Sequence, residues 1–231
     1  MNRRPPHRVR SLPPALGRVY RGGVLVGALT KELRDRLTPA EIIEEIKKGN
    51  DRFRAGEMIP RDYMAQERMS AAGQFPAAVA LGCIDSRAPV EIVFDVGIGA
   101  MFTARIAGSV VNDDIIGSME YACAVAGAKV VLLLGHTGCG AIRGAIDDID
   151  MGSLTGLLGR IKPAIAATNF SGDQSSKNTS YVNAVARANV LLGLDNIRAR
   201  SPVLAELETK GSIKIIGGMF DVGSGRVEFV G

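Results

Sequence analysis

The stretch Lys129 to Leu134 (KVVLLL) constrains the fold of this chain more than any other. An aliphatic run without polar alternation reads as a strand buried on both faces. Such strands belong to parallel sheets covered by helices. Ala77 to Leu81 has the same character, and Met101 to Ala107 is a third candidate strand. Helical signals alternate with these runs. Thr38 is placed to cap a helix, with Pro39 at its first position and Glu41 at capping-box spacing. Ile42, Ile43 and Ile46 then supply an apolar stripe. Arg61–Ala72, Asp114–Ala126, a segment from about Ala141, and residues 180–209 interrupted at Pro202 read as further helices. The polar residues 168–178 read as an exposed loop. Ser212–Phe220 and Arg226–Val230 read as two strands joined around Gly223-Ser224-Gly225. The expected class is α/β: a mainly parallel central sheet flanked by helices, with an N-terminal helical arm and a C-terminal strand pair.

The 231 residues, 46% hydrophobic and 23% charged, suit one ordinary globular domain with an appended arm. No stretch approaches the ~18 apolar residues of a membrane span. The three cysteines are an odd number. They fit a disulfide framework poorly and suit a reducing compartment, with thiols left for metal or chemistry. The net charge of +4 is unevenly placed. Residues 1–31 contain no Asp or Glu but carry Arg3, Arg4, Arg8, Arg10, Arg18, Arg21 and Lys31. Residues 1–36 are therefore expected to be a basic, solvated extension without a nucleic-acid partner, and residues 37–231 the domain, with 37–76 as its helical arm. The apolar run Gly23 to Leu29 is short and holds two glycines, marginal for a secretory signal. A cytoplasmic location is the default expectation, with export to the periplasm through the basic segment as the alternative.

Two segments carry chemistry. Gly82-Cys83-Ile84-Asp85-Ser86-Arg87 follows one candidate buried strand, and Gly135-His136-Thr137-Gly138-Cys139-Gly140 follows the KVVLLL strand and opens a helix. Side chains just past the C-terminal ends of parallel strands are where open α/β sheets bind ligands. If the two strands are neighbours, Cys83, His136 and Cys139 converge. Two thiolates and an imidazole suit tetrahedral zinc and leave a fourth position for water, as in catalytic sites. On these residues alone, a Cys83–Cys139 disulfide or a tight helix-start turn with a buried thiol stays open. The Asp85–Arg87 pair can place both side chains over one site, the guanidinium keeping the carboxylate ionised.

C-x-D-S-R followed by H-x-x-C-G resembles the signature of the beta-class carbonic anhydrases, and the likeness runs from about Leu37 through Phe229. It includes LTPAEIIEEIKKGNDRF, FDVGIGAMFTARIAGSVV, SMEYACAVAGAKVVLLLGHTGCGAIRGA and GGMFDVGSGRVEF. The resemblance implies Zn2+ held by Cys83, His136 and Cys139. It implies reversible hydration of CO2 to bicarbonate and a proton by hydroxide generated at the metal, with Asp85 and Arg87 as a dyad beside it. Gln74 matches the family's substrate-orienting glutamine, and Phe102 and Tyr121 match its apolar pocket residues. In the family this pocket forms between subunits, so a homodimer or homotetramer is implied, its helical arm wrapped on the neighbour. Some members close the site by swinging the aspartate onto zinc and use an allosteric bicarbonate pocket of Trp, Arg and Tyr. This chain has no Trp, so the expectation is an open site.

Other motifs are empty. Gly22–Lys31 lacks the end of a P-loop, and GHTGCGAIRGA lacks dinucleotide-site spacing. Cys123 in an apolar helix reads as an inert buried thiol. His7 is the only other histidine and lies in the basic tail. Carbonyl sulfide or carbon disulfide as substrate, and a zinc-containing scaffold without activity, are the competing functions.

Overall fold

The computed structural model describes residues 24–231. The charged cluster at Arg3–Arg21 and His7 lie outside the described residues. In chain order the elements are α1 (Lys31–Arg36), α2 (Pro39–Ala55), α3 (Tyr63–Ser70), β1 (Ala78–Gly82), α4 (Val90–Val93), β2 (Met101–Arg105), α5 (Asp113–Glu120), β3 (Val130–His136) and α6 (Gly140–Ile146). They continue with α7 (Gly152–Gly159), α8 (Lys162–Ala167), α9 (Thr179–Arg200), α10 (Pro202–Thr209), β4 (Lys214–Phe220) and β5 (Val227–Val230).

The sheet runs β2-β1-β3-β4-β5, parallel except for β5, which returns antiparallel to β4. The alternation of side chains along each strand divides the core in two. Val79, Leu81, Val131 and Leu133 face a layer containing α5, α6, α9 and α10, with Val185, Val190, Leu194 and Leu204 among its buried residues. Ala78, Ala80, Val130, Leu132 and Leu134 face the other layer, where Ile42 and Ile46 of α2 meet Val90, Val93 and Phe94. Every residue of β1 and β3 is buried, as expected of strands covered on both faces. Helix α2 lies so close to the α4 segment that a Cβ on Gly49 would stand 1.9 Å from the Phe94 carbonyl oxygen.

Local signals set most boundaries. The capping box forms: Glu41 N donates to Thr38 Oγ1 at 3.2 Å, and Thr38 N donates to Glu41 Oε2 at 2.8 Å. The expected helix 61–72 shortens to α3 because Asp62 caps it, its Oδ1 accepting from Ala65 N at 2.9 Å. The third strand stops at Arg105 rather than Ala107, since Gly108 and Ser109 turn through left-handed backbone with φ of 69° and 50°. The helix expected over 114–126 begins at Asp113 under an Asn112 cap and widens into a π turn over Tyr121–Val125. Pro202 separates α9 from α10, with Ser201 Oγ accepting from Leu204 N. Helices α4, α7 and α8 have no counterpart in the sequence reading. The first is a single turn, and the glycines of GSLTGLLG mask the second.

The described packing starts ahead of the boundary expected at residue 37. Leu25, Val26 and Leu29 are buried, Thr30 caps α1, and buried Arg34 donates to the Ala126 carbonyl. Residues 25–36 are thus built into the fold rather than part of a solvated extension. The apolar run that resembled a marginal signal plugs the face lined by α2. No helix among the described residues is long and apolar enough to cross a membrane.

Asp95 ties this N-terminal layer together. Its carboxylate is fully buried and accepts from Arg52 Nε at 2.6 Å and from Arg61 Nη1. Burial pushes the carboxyl up, but the Arg61 and Arg52 guanidiniums outweigh it and hold it below the usual carboxylate value. A lowered folded-state pKa stabilises above the unfolded value of about 3.9, and that stability is lost as pH falls through the folded value. Asp95→Ala is therefore expected to cost about 3–5 kcal/mol at neutral pH in urea unfolding, because it removes the buried carboxylate that pairs with both guanidiniums. The gap to the parent protein should narrow below about pH 4.

Candidate metal centre

The strand order changes direction between β1 and β3: β2 lies on one side of β1, and β3 on the other. A crevice outside the carboxyl ends of strands at such a switch point is the usual ligand position of an open α/β sheet. Cys83 follows β1 directly, His136 ends β3, and Cys139 caps α6. All three are buried, and their ligand atoms lie within 4.8 Å of one another. The Cys83 and Cys139 sulfurs are 4.0 Å apart, and all three cysteines are free thiols.

The His136 ring is oriented from behind. Its Nδ1 lies 3.0 Å from the Thr137 carbonyl oxygen, which can only accept, so Nδ1 carries the hydrogen and Nε2 presents a lone pair. Among the described residues, Nε2 is the buried side-chain nitrogen or oxygen left without a hydrogen-bond partner. Buried polar atoms are normally satisfied, so an orphan between two sulfurs calls for a cation. Thiolates on one tetrahedral zinc, at about 2.3 Å each, stand about 3.8 Å apart, close to the spacing here. The donor set and its geometry fit zinc.

The thiols already share their charge unevenly. Hydrogen bonding from Cys139, together with the neighbouring His136 ring and the main-chain N–H groups of Asp85 and Gly108, pulls Cys83 below the ordinary thiol range against the cost of burial. Cys139, facing that thiolate in a buried position, is pushed above it. A bound cation would take the place of the shared proton, with Cys83 and Cys139 both holding it as thiolates. Cys123 differs: burial alone pushes its thiol up to about 12, leaving it protonated and inert, as expected from the sequence.

The dyad forms by local geometry. Asp85 Oδ1 accepts from Arg87 N at 2.9 Å and from Arg87 Nε at 3.0 Å, while Oδ2 accepts from Arg87 Nη2 at 2.8 Å. The Arg87 guanidinium thereby holds the Asp85 carboxyl well below the usual carboxylate range. Oδ2 also lies 3.8 Å from His136 Nε2, so the carboxylate borders the point where the three donors meet.

Of the expected pocket residues, Phe102 packs against the same core layer as Cys83 and Cys139. Tyr121, 53% exposed on the π turn, meets Phe102 edge-on with ring centroids 6.4 Å apart. Gln74 is not brought to the cluster within this chain. It lies on the exposed loop before β1, in a recess with Glu67, Ser70, Ile98 and Gly99.

Four supporting residues were not identified from the sequence. Arg105 donates from Nε to the Cys83 carbonyl at 2.8 Å and from Nη2 to the Asp85 carbonyl at 2.6 Å. Gly108 N donates to Cys83 Sγ at 3.3 Å, and Asn189 Nδ2 holds the Gly108 carbonyl at 2.9 Å. Asn183 Oδ1 accepts from Gly138 N at 2.9 Å. A charged residue closing a candidate strand was the one signal that could have marked Arg105. The asparagines look like any polar residues of a long helix.

The fold and the cluster define the class: a parallel α/β protein with a buried cysteine–histidine–cysteine group able to hold a metal ion at the ends of its central strands. Comparison with known proteins narrows this. A family model described as carbonic anhydrase matches residues 78–227. Carbonic anhydrase 2 of Mycobacterium tuberculosis is 34% identical over 194 residues, spanning 81% of this chain and 91% of that protein. A carbonic anhydrase of Mycolicibacterium smegmatis is 32% identical over 196 residues, spanning 82% and 92%. The crystal structure of the beta-carbonic anhydrase CafA of Aspergillus fumigatus superposes with a TM-score of 0.65 at 26% identity, covering 73% of this chain and 82% of that one. A tetrameric beta-carbonic anhydrase of Sordaria macrospora gives a TM-score of 0.62 at 25% identity, covering 73% and 90%. The chain belongs to the beta carbonic anhydrase family and is an enzyme of the carbonate dehydratase class.

The left-handed Gly108 predicts a graded effect. A Cβ there would lie 2.8 Å from Ile161 Cδ1 at a φ of 69°, whereas Gly138, at 64°, has open space around it. Both alanine variants should lose about 1–3 kcal/mol for the backbone conformation alone. In urea unfolding of metal-loaded protein, Gly108→Ala should lose more than Gly138→Ala.

Proposed function

We propose that this chain catalyses the zinc-dependent, reversible hydration of CO2 to bicarbonate and a proton, with Cys83, His136 and Cys139 holding the metal. The observation that carries the reading is the unpartnered His136 Nε2 set between two thiols and bordered by an ionised Asp85. When bound, zinc would supply Lewis acidity that lowers the pKa of water and makes hydroxide available near neutral pH. Two thiolates offset the charge of the ion, which places more of the work on the neighbouring carboxylate.

Asp85 meets that demand as a proton acceptor and orienting group. Its side chain is 15% exposed, enough to reach water, and Arg87 keeps it ionised. Arg87 is 56% exposed and connects the carboxylate to solvent, where the product proton must leave. The only other histidine, His7, is remote in sequence, so release to water and buffer is the simplest route. Phe102 and Tyr121 offer apolar surface suited to CO2. Gln74, apart from the cluster in its own chain, would orient substrate at the site of a second copy. Exposed Ile84, Tyr121 and Val125 are apolar surface that a partner copy would cover, and the Sordaria macrospora structures are tetrameric. A homodimer or homotetramer is the assembly that fits. Three free thiols suit a reducing cytoplasm.

Stopped-flow CO2 hydration by the zinc-replete protein, from about pH 6.5 to about 9.5, tests the reading. Asp85→Asn should lower kcat by about 100-fold, the scale of a lost general acid–base group. Because Asp85 is held below the ordinary carboxylate range, it stays ionised throughout this window. In Arg87→Ala its pKa rises only toward about 3.9, so the rate should fall at every pH without a new acid limb. Stoichiometric zinc with no hydration at any pH would sink the proposal. Chelation should abolish activity. It should also lower stability by about 4 kcal/mol relative to protein held at a thousandfold excess of metal over its Kd.

A further inference from the structure

Strand β1 leaves the sheet where its chemistry begins. Its last paired residue, Gly82, lies opposite Arg105, the last residue of β2, and the final main-chain bond between them runs from Ile106 N to the Gly82 carbonyl at 3.0 Å. Beyond that point neither the Cys83 nor the Asp85 carbonyl is paired with a strand, and Ala88 N donates to the Asp85 carbonyl at 3.1 Å within the turn. The Arg105 guanidinium takes over from the ladder, with Nε on the Cys83 carbonyl and Nη2 on the Asp85 carbonyl. Ile84, between the two held carbonyls, arches outward and is 62% exposed.

We infer that Arg105 is a positioning residue for the reaction: its planar fork spans the loop from the metal-binding thiolate to the proton-accepting carboxylate and fixes one relative to the other. The inference rests on the metal site and dyad proposed above. Arg105 touches neither the sulfur nor the carboxylate, so it acts through the backbone. A guanidinium presents its donors in a rigid plane, whereas a lysine ammonium is a single point on a flexible stem. Holding two carbonyls at once sets their separation, and with it the directions in which the Cys83 and Asp85 side chains leave the main chain. An error of about 1 Å in such placement can cost about 100-fold in rate. Asp85 is tied to Arg87 within its own turn and its main-chain N–H faces Cys83; Arg105 adds a hold on the Cys83 and Asp85 carbonyls from outside that turn.

The test compares the full-length wild type with Arg105→Ala, Arg105→Lys, Asp85→Asn and the Arg105→Ala/Asp85→Asn double variant. Each is loaded with zinc for kinetics and with Co2+ for visible absorption, which reports ligand geometry without turnover. Arg105→Ala is expected to lower kcat by about 10-fold or more while the KM for CO2 moves less than about threefold, and to shift the Co2+ bands. Arg105→Lys should recover part of both. In the Asp85→Asn background the further loss from Arg105→Ala should shrink to less than about threefold, since the carboxylate it positions is gone. Co2+ spectra of both Arg105 variants that superpose on the wild type, with kcat within about twofold, would overturn the inference. So would an equal loss with and without Asp85 that lysine does not relieve, which would make Arg105 a stabilising residue only. If Arg105→Ala does not fold, Arg105→Lys is judged by the same spectra and rates. A wild type that binds Co2+ but hydrates no CO2 would defeat the proposed function, and the spectral comparison would still decide the role of Arg105.

Discussion

The pairing of β1 with β3 is the contact on which the rest of this molecule depends. The two strands run side by side, in register from Ala78 opposite Val130 to Leu81 opposite Leu133, with every residue buried. Parallel neighbours discharge their chains at the same edge. One loop therefore delivers Cys83 and Asp85 and the other delivers His136 and Cys139, although the two are far apart in sequence. A slip of one residue would reverse every side chain of β1 and exchange the two core layers. The apolar alternation that builds the core thus also fixes which cysteine faces which histidine.

Placing two thiols and an imidazole in that buried edge carries an electrostatic cost, and the surroundings are arranged to meet it. The Gly108 amide donates to Cys83, the Thr137 carbonyl fixes the His136 ring, and Arg87 neutralises Asp85 from the solvent side. The supports are mostly main-chain groups. Backbone dipoles stabilise charge without adding further ionisable groups to a site whose proton inventory matters. Gly108 and Ser109 adopt left-handed backbone beside the cluster, so the strain sits where an N–H must point inward.

Much of this was legible in the chain itself, and what was not follows a physical pattern. Continuous apolar runs revealed β1 and β3, because burial on both faces leaves no other composition. Thr38, Pro39 and Glu41 announced α2 through a cap that uses only neighbouring residues. The candidate metal ligands stood out because cysteine and histidine are scarce and lay at strand ends. Arg105, Asn183 and Asn189 were hidden, because they act on backbone groups distant in sequence and leave no local period. The segment carrying Leu25 and Leu29 was read as tail because basic neighbours masked a short apolar stretch that becomes core only when α2 is beside it. Gln74 matched a family position by sequence, yet one chain alone does not bring it to the cluster.

Helix α9 touches both halves of the centre. Asn183 holds the Gly138 amide in the loop between His136 and Cys139, and Asn189 holds the Gly108 carbonyl whose amide faces Cys83. The two asparagines are separated by a fixed rise of about 9 Å along the helix axis. That rise makes α9 a ruler laid across the crevice. Its length sets how far apart the two loops are held. Because a helix is stiff along its axis, sliding or tilting it moves both anchor points together. The Gly108 amide that faces Cys83 is thereby placed relative to the loop between His136 and Cys139 by an element that supplies no ligand atom itself.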